Sequence, residues 1–197
     1  MNLSAARLAA IVAFLAVSLG AVPASGADES APTPSVTATS VTHVNFKSSK
    51  PFDALTAAIE KQLGKFDAQA YGAIMKTPLN PAEVESKIHA MEGTSGFMLF
   101  AVRDHGQLLA LKGKQASVKQ YEIGNPLFAV EMTRDDLRAG EYAPLRICVY
   151  VGKDHLTHVD YDLPSSIFGR FKSAQVDKVA KGLDEKLEAL IANALKN

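Results

Sequence analysis

The segment Leu145-Arg146-Ile147-Cys148-Val149-Tyr150-Val151-Gly152-Lys153-Asp154-His155-Leu156-Thr157-His158-Val159-Asp160-Tyr161 decides the fold class. Leu145 to Val151 is β-branched and apolar, Gly152 to His155 has turn chemistry, and Leu156 to Tyr161 alternates apolar with polar, so the segment predicts an antiparallel hairpin. Val159 and Tyr161 are expected to face a core. His158 and Asp160 then share the opposite face, because successive strand residues alternate sides. Cys148 reads as a small side chain within an apolar strand.

Upstream, Val118 to Ile123 and Phe97 to Val102 are further strands, and Val41 to Lys47 is a first one. Asp104-His105-Gly106-Gln107 reads as a turn into Leu108 to Leu111, which would make another hairpin. Helical spacing appears in Phe52, Leu55, Ile59, Leu63 and Phe66, and again in Val84, Ile88 and Met91. The second of these starts at Asn80-Pro81-Ala82-Glu83, a capping signature, and Gly93 is expected to end it in a left-handed cap. Val176, Val179, Leu183, Leu187, Leu190 and Ile191 form a last long stripe, with Ser173 as its cap. Strands grouped in the middle with helices around them imply one α+β domain, a mainly antiparallel sheet covered by amphipathic helices.

The chain ends are read separately. Arg7 followed by apolar Leu8 to Val22 and then Ser25-Gly26-Ala27 resembles a cleavable secretory signal over residues 1–27. Its apolar run is short against the roughly 20 residues that span a bilayer, so no membrane span is expected after cleavage. Residues 28–42, rich in Ala, Ser, Thr and Pro, suit a flexible linker, leaving 43–197 as the domain. A periplasmic or secreted location follows. Balanced charge, with 21 basic and 21 acidic residues, argues against nucleic acid as a partner. A single cysteine leaves no intramolecular disulfide and no cysteine-rich metal module.

Tyr121-Glu122-Ile123-Gly124-Asn125-Pro126, Met132, Ala143-Pro144-Leu145-Arg146, Asp104-His105-Gly106 and Asp160-Tyr161-Asp162-Leu163-Pro164-Ser165-Ser166 together resemble the bacterial domain-of-unknown-function family 302. The likeness is densest from Gly96 to Phe171. It implies a small α+β domain whose members are commonly dimers, and implies no established reaction. Where many relatives have Gly-Thr shortly after Gly-Asn-Pro, this chain has Leu127-Phe128-Ala129-Val130-Glu131, which would narrow or change any ligand site there.

Four features carry candidate chemistry. Gly124-Asn125-Pro126 is a strand-to-helix corner with Asn125 as N-cap, and its free backbone donors, helped by Arg146 or Arg134, are a candidate anion site. The alternative is a purely structural cap. Asp104 beside His105 could serve an enzyme as carboxylate and general base, with Glu131 in support, or Asp104 could simply stabilise a turn. His155-x-x-His158 with Asp154 and Asp160 has metal-ligand residue types but poor strand geometry, so neither a metal nor a cofactor is expected. Ser165 and Ser166 lack a nucleophile motif. The leading expectation is a non-catalytic module that binds an apolar small molecule or a periplasmic protein as a homodimer. The alternative is a periplasmic enzyme centred on His105 and Asp104.

Overall fold

The computed structural model describes residues 33–76 and 80–196. The signal reading over 1–27 and the linker reading over 28–32 lie outside these. Residues 33–42 have no regular secondary structure. Thr42 is nonetheless tied to the fold, its N–H donating to Ser166 Oγ (2.9 Å) and its carbonyl accepting from Leu163 N (2.8 Å).

Six strands, β1 (His43–Ser48), β2 (Gly64–Lys65), β3 (Met98–Asp104), β4 (Val118–Gly124), β5 (Leu145–Val151) and β6 (Thr157–Asp162), form one sheet in the order β1-β6-β5-β4-β3-β2. All neighbours are antiparallel except β2 and β3. The helices are α1 (Phe52–Glu60), α2 (Ala68–Ile74), α3 (Pro81–His89), α4 (His105–Leu109), α5 (Pro126–Thr133), α6 (Pro164–Phe168) and α7 (Ala174–Lys196). This is an α+β domain.

Alternation sorts the strands as the hairpin segment predicts. Tyr121, Ile123, Ile147, Val149, Val159 and Tyr161 enter the core, where they join Leu55 and Ile59 of α1 and Leu183, Leu187, Leu190 and Ile191 of α7. Each fully buried aliphatic side chain contributes about 1.5–3 kcal/mol, so these two helices and the sheet stabilise one another. Ser173 caps α7, its Oγ accepting from Val176 N at 3.2 Å. The opposite, open face carries polar side chains in the middle strands.

Four local readings need correction. The stripe ending at Leu63 and Phe66 overruns α1, which stops at Glu60 because Gly64 enters β2 beside Met98. A Cβ on Gly64 would lie 1.9 Å from the Met91 carbonyl, so only glycine allows the α1 and α3 exits to meet. Gly93 has no left-handed conformation; α3 ends at His89 with Ala90 as its C-cap, short of Met91, and a Cβ on Gly93 would come within 2.3 Å of Gly64 N. Helix α2 was not foreseen. Finally, Asp104 to Leu111 is not a hairpin: Asp104 Oδ1 accepts from Gln107 N (2.9 Å) and starts α4, which a 3-10 turn over Ala110–Lys112 extends. An N-cap carboxylate satisfies a helix donor that a tight β-turn would leave to water.

Candidate functional site

At the β4–α5 corner, Asn125 is 4% exposed and its side chain is fully engaged. Its Oδ1 accepts from Leu127 N (2.9 Å), while Nδ2 donates to Glu92 Oε1 (2.5 Å) and the Gly96 carbonyl (3.0 Å). The cap is as expected; the Glu92 partner from beyond α3 is new. Gly124 has no positive φ, and its missing side chain instead leaves room for Phe100, whose ring a Cβ would meet at 3.1 Å. Arg146 is not at this corner. It is exposed on β5, opposite Glu122 in register, and Arg134 pairs with Glu131 at 3.1 Å. Gly124 and Asn125 line a cavity of only about 20 Å³.

Pro126 opens onto a different space. An apolar groove of about 240 Å³ runs between α2, α3 and the first turn of α5, lined by Tyr71, Val84, Ile88, Pro126, Leu127 and Val130. Glu85 is its one charged lining residue among those described. Val130 and Met75 on its rim are 52% and 49% exposed. The Leu127 to Val130 departure from the relatives' Gly-Thr thus supplies one wall. The sequence reading missed the groove because it forms only where α3 and α5 meet, with Tyr71 of the short α2 closing one side.

Asp104 and His105 do not converge. The Asp104 carboxylate is spent on the α4 cap, and the exposed His105 side chain makes no hydrogen bond or ion pair among the described residues. Glu131 is engaged by Arg134 and by Gln175 Nε2 (3.3 Å), in a separate part of the fold. Asp104 lines an open polar cavity of about 420 Å³ that includes neither His105 nor Glu131.

The histidines meet carboxylates on the open sheet face. His158 Nε2 donates to Asp154 Oδ1 (2.8 Å) while Asn45 Nδ2 donates to His158 Nδ1 (3.2 Å), which puts the ring proton on Nε2. Gly152 makes room for this ring, since a Cβ there would lie 2.6 Å from His158 Nε2. This hydrogen bond holds the Asp154 carboxyl down at about 2. His43 donates from Nδ1 to Asp162 (3.0 Å) and from Nε2 to Asp160 (3.3 Å), and the Asp162 hydrogen bond, outweighing desolvation, raises its pKa. Asp160 also accepts from Asn45 and from the Tyr150 hydroxyl (3.2 Å). His155 sits apart in the turn at φ 60°. No group of three or more histidine, cysteine, aspartate or glutamate side chains among the described residues is arranged to hold a metal. Cys148 is half-buried on this same face rather than in the core, and burial, with the Asp160 charge, pushes its thiol up. Ser166 Oγ bonds the Leu163 carbonyl (2.8 Å) and Ser165 N bonds Asp184 (2.9 Å), so both serines build the α6 entry.

The family profile described as domain of unknown function DUF302 matches residues 74–194, from the end of α2 to the last turn of α7. The chain belongs to the DUF302 family. A solved structure titled as an uncharacterized conserved protein DUF302 from Bacillus stearothermophilus is similar in fold, with a TM-score of 0.54 at 15% identity. That likeness covers 77% of this chain and 97% of the other. No curated protein matches the chain. The DUF302 match begins after β1, α1 and β2, so the edge strand carrying His43 and Asn45 and the Gly64 crossing lie outside it.

Proposed function

We propose that this DUF302 protein is a non-catalytic binding module whose ligand is a compact apolar molecule held in the groove between α2, α3 and α5. The groove carries the reading: apolar walls with few polar groups are the usual form of a small-molecule site. A dry apolar cavity of about 150 Å³ takes a benzene ring. At about 240 Å³, this groove suits a bicyclic ring. The failure of Asp104 and His105 to meet in one pocket weighs against the acid–base alternative. The secretory-like first 27 residues support export, and the family resemblance supports a homodimer, which sedimentation of the purified protein tests.

The chain has no tryptophan, so indole fluorescence can be followed in its presence without interference from that residue. Titrating protein into indole is expected to give a saturable blue shift, with roughly tenfold weaker binding in Val130→Asp, where a charge enters the exposed rim. Emission that stays unshifted at all protein concentrations would count against an apolar ligand.

A further inference from the structure

We infer that the open sheet face holds a second site, for a small zwitterion, with Arg146 and Gln120 facing its carboxylate and Asp162 its ammonium group. The first observation is a charge left over. On this face His43 has Asp160 and Asp162, Lys47 has Asp154, and Arg103 has Glu122. Arg146 stands between the strands of Glu122, which pairs with Arg103, and Asp162, one oxygen of which takes His43, and its guanidinium has no ion pair or hydrogen bond among the described residues. The Gln120 side-chain amide, diagonal to it across β4 and β5, is also without a partner among the described residues. A guanidinium with an adjacent amide donor presents the planar donors that a carboxylate accepts.

The second observation is shape. A shallow depression of about 280 Å³ is lined by Gln120, Arg146, Cys148, Asp160, Asp162 and His43, the last already bonded to both carboxylates. The register explains the order: Gln120, Cys148 and Asp160 form one row across β4, β5 and β6, and Arg146 and Asp162 lie one residue beyond the Ile147–Tyr161 pair on adjacent strands. Asp162 is half exposed and spends one oxygen on His43, leaving acceptor capacity for an ammonium group. The Cys148 thiol is uncharged and supplies no covalent step. A singly charged ligand would satisfy one wall and leave the other unused, whereas a molecule with both charges a few bonds apart engages both.

The test is an amide chemical-shift titration of the folded protein at low salt with glycine, β-alanine and γ-aminobutyrate, and with acetate and methylammonium as singly charged controls. At least one zwitterion is expected to shift Gln120, Arg146, Cys148 and Asp160 saturably and more tightly than either control. Arg146→Gln should weaken it about tenfold at unchanged melting temperature, Asp162→Asn by a similar factor, while Lys153→Gln, in the turn at the far end of the β5–β6 hairpin, leaves it alone. Acetate binding as tightly as the zwitterions, no saturable shift from any probe, or full affinity in Arg146→Gln would overturn the assignment. So would sedimentation showing that Arg146→Gln dissociates a dimer, since Arg146 would then serve a protein interface. Indole binding at the α2–α3–α5 groove is a separate readout, so either site can fail without the other.

Discussion

Asn125 Nδ2 lies 2.5 Å from Glu92 Oε1, so one amide joins the segment after α3 to the first turn of α5. The same Glu92 oxygen accepts from His89 Nδ1 at 2.8 Å. The corner is therefore a three-way clamp: the amide oxygen caps α5 while the amide nitrogen fixes the chain leading into β3. It also holds α3 and α5, the two sides of the apolar groove, in their relative positions.

Removing that clamp costs both a cap and a buried charge-assisted hydrogen bond. Asn125→Ala should lower unfolding free energy by about 2–3 kcal/mol, read from urea midpoints at constant slope. A change below about 0.5 kcal/mol would show that the corner is held by backbone alone.

The two close glycine sites and the free helix glycine should behave oppositely. Gly64→Ala forces a Cβ into the Met91 carbonyl and should destabilise by at least about 2 kcal/mol. Gly182→Ala, within α7 and with nothing within 4 Å of the added carbon, should stabilise by up to about 1 kcal/mol. Thermal melts of the two variants distinguish the cases directly.

Asp154 has its carboxyl held at about 2 by the His158 hydrogen bond, below the usual aspartate value. A depressed carboxylate adds stability that is present above its unfolded pKa, near 3.9, and lost as pH falls through about 2. Carboxyl carbon shifts should show that low midpoint, and His158→Phe should return it toward the ordinary range. An unchanged midpoint in that variant would assign the effect to Lys47 or the turn backbone instead.

For His43 the sign is reversed. Its pKa is raised, chiefly by the Asp162 hydrogen bond, so its contribution is complete below the unfolded value near 6.5 and fades as pH rises through the higher folded value. The ring is 56% exposed, so solvent screening keeps the effect small. Hydrogen exchange in β1 should accelerate, relative to β5, as pH rises through that folded value once intrinsic rates are divided out. His43→Asn should abolish the relative change.

The sheet was legible because its signal is repeated and local. Alternation at Val159 and Tyr161, the turn at Gly152 to His155 and the stripe from Val176 to Ile191 each suffice alone, and Asn125 before Pro126 states its own cap. Helix α2 has only seven residues, too few for Tyr71 and Ile74 to show a period, so its Asp67 cap, bonding Gln69 N and Ala70 N, was the clearest signal there. The groove needs α2, α3 and α5 brought together by the fold, a juxtaposition that no local spacing announces. Gly64 and Gly93 meet across about thirty residues of sequence, a contact that neither glycine announces by itself. The same holds for the open face: His158 and Asp160 were correctly placed together, but His43 and Asn45 reach them only because β1 pairs with β6. Asp104 misled because an N-cap and a turn residue share one chemistry.

The most direct test of the central claim is an amide chemical-shift map of the folded protein titrated with indole. Saturable shifts are expected at Tyr71, Val84, Ile88, Leu127 and Val130, with Asp104 to Gln107 unmoved. Shifts centred on Asp104 and His105, or none that saturate, would contradict it.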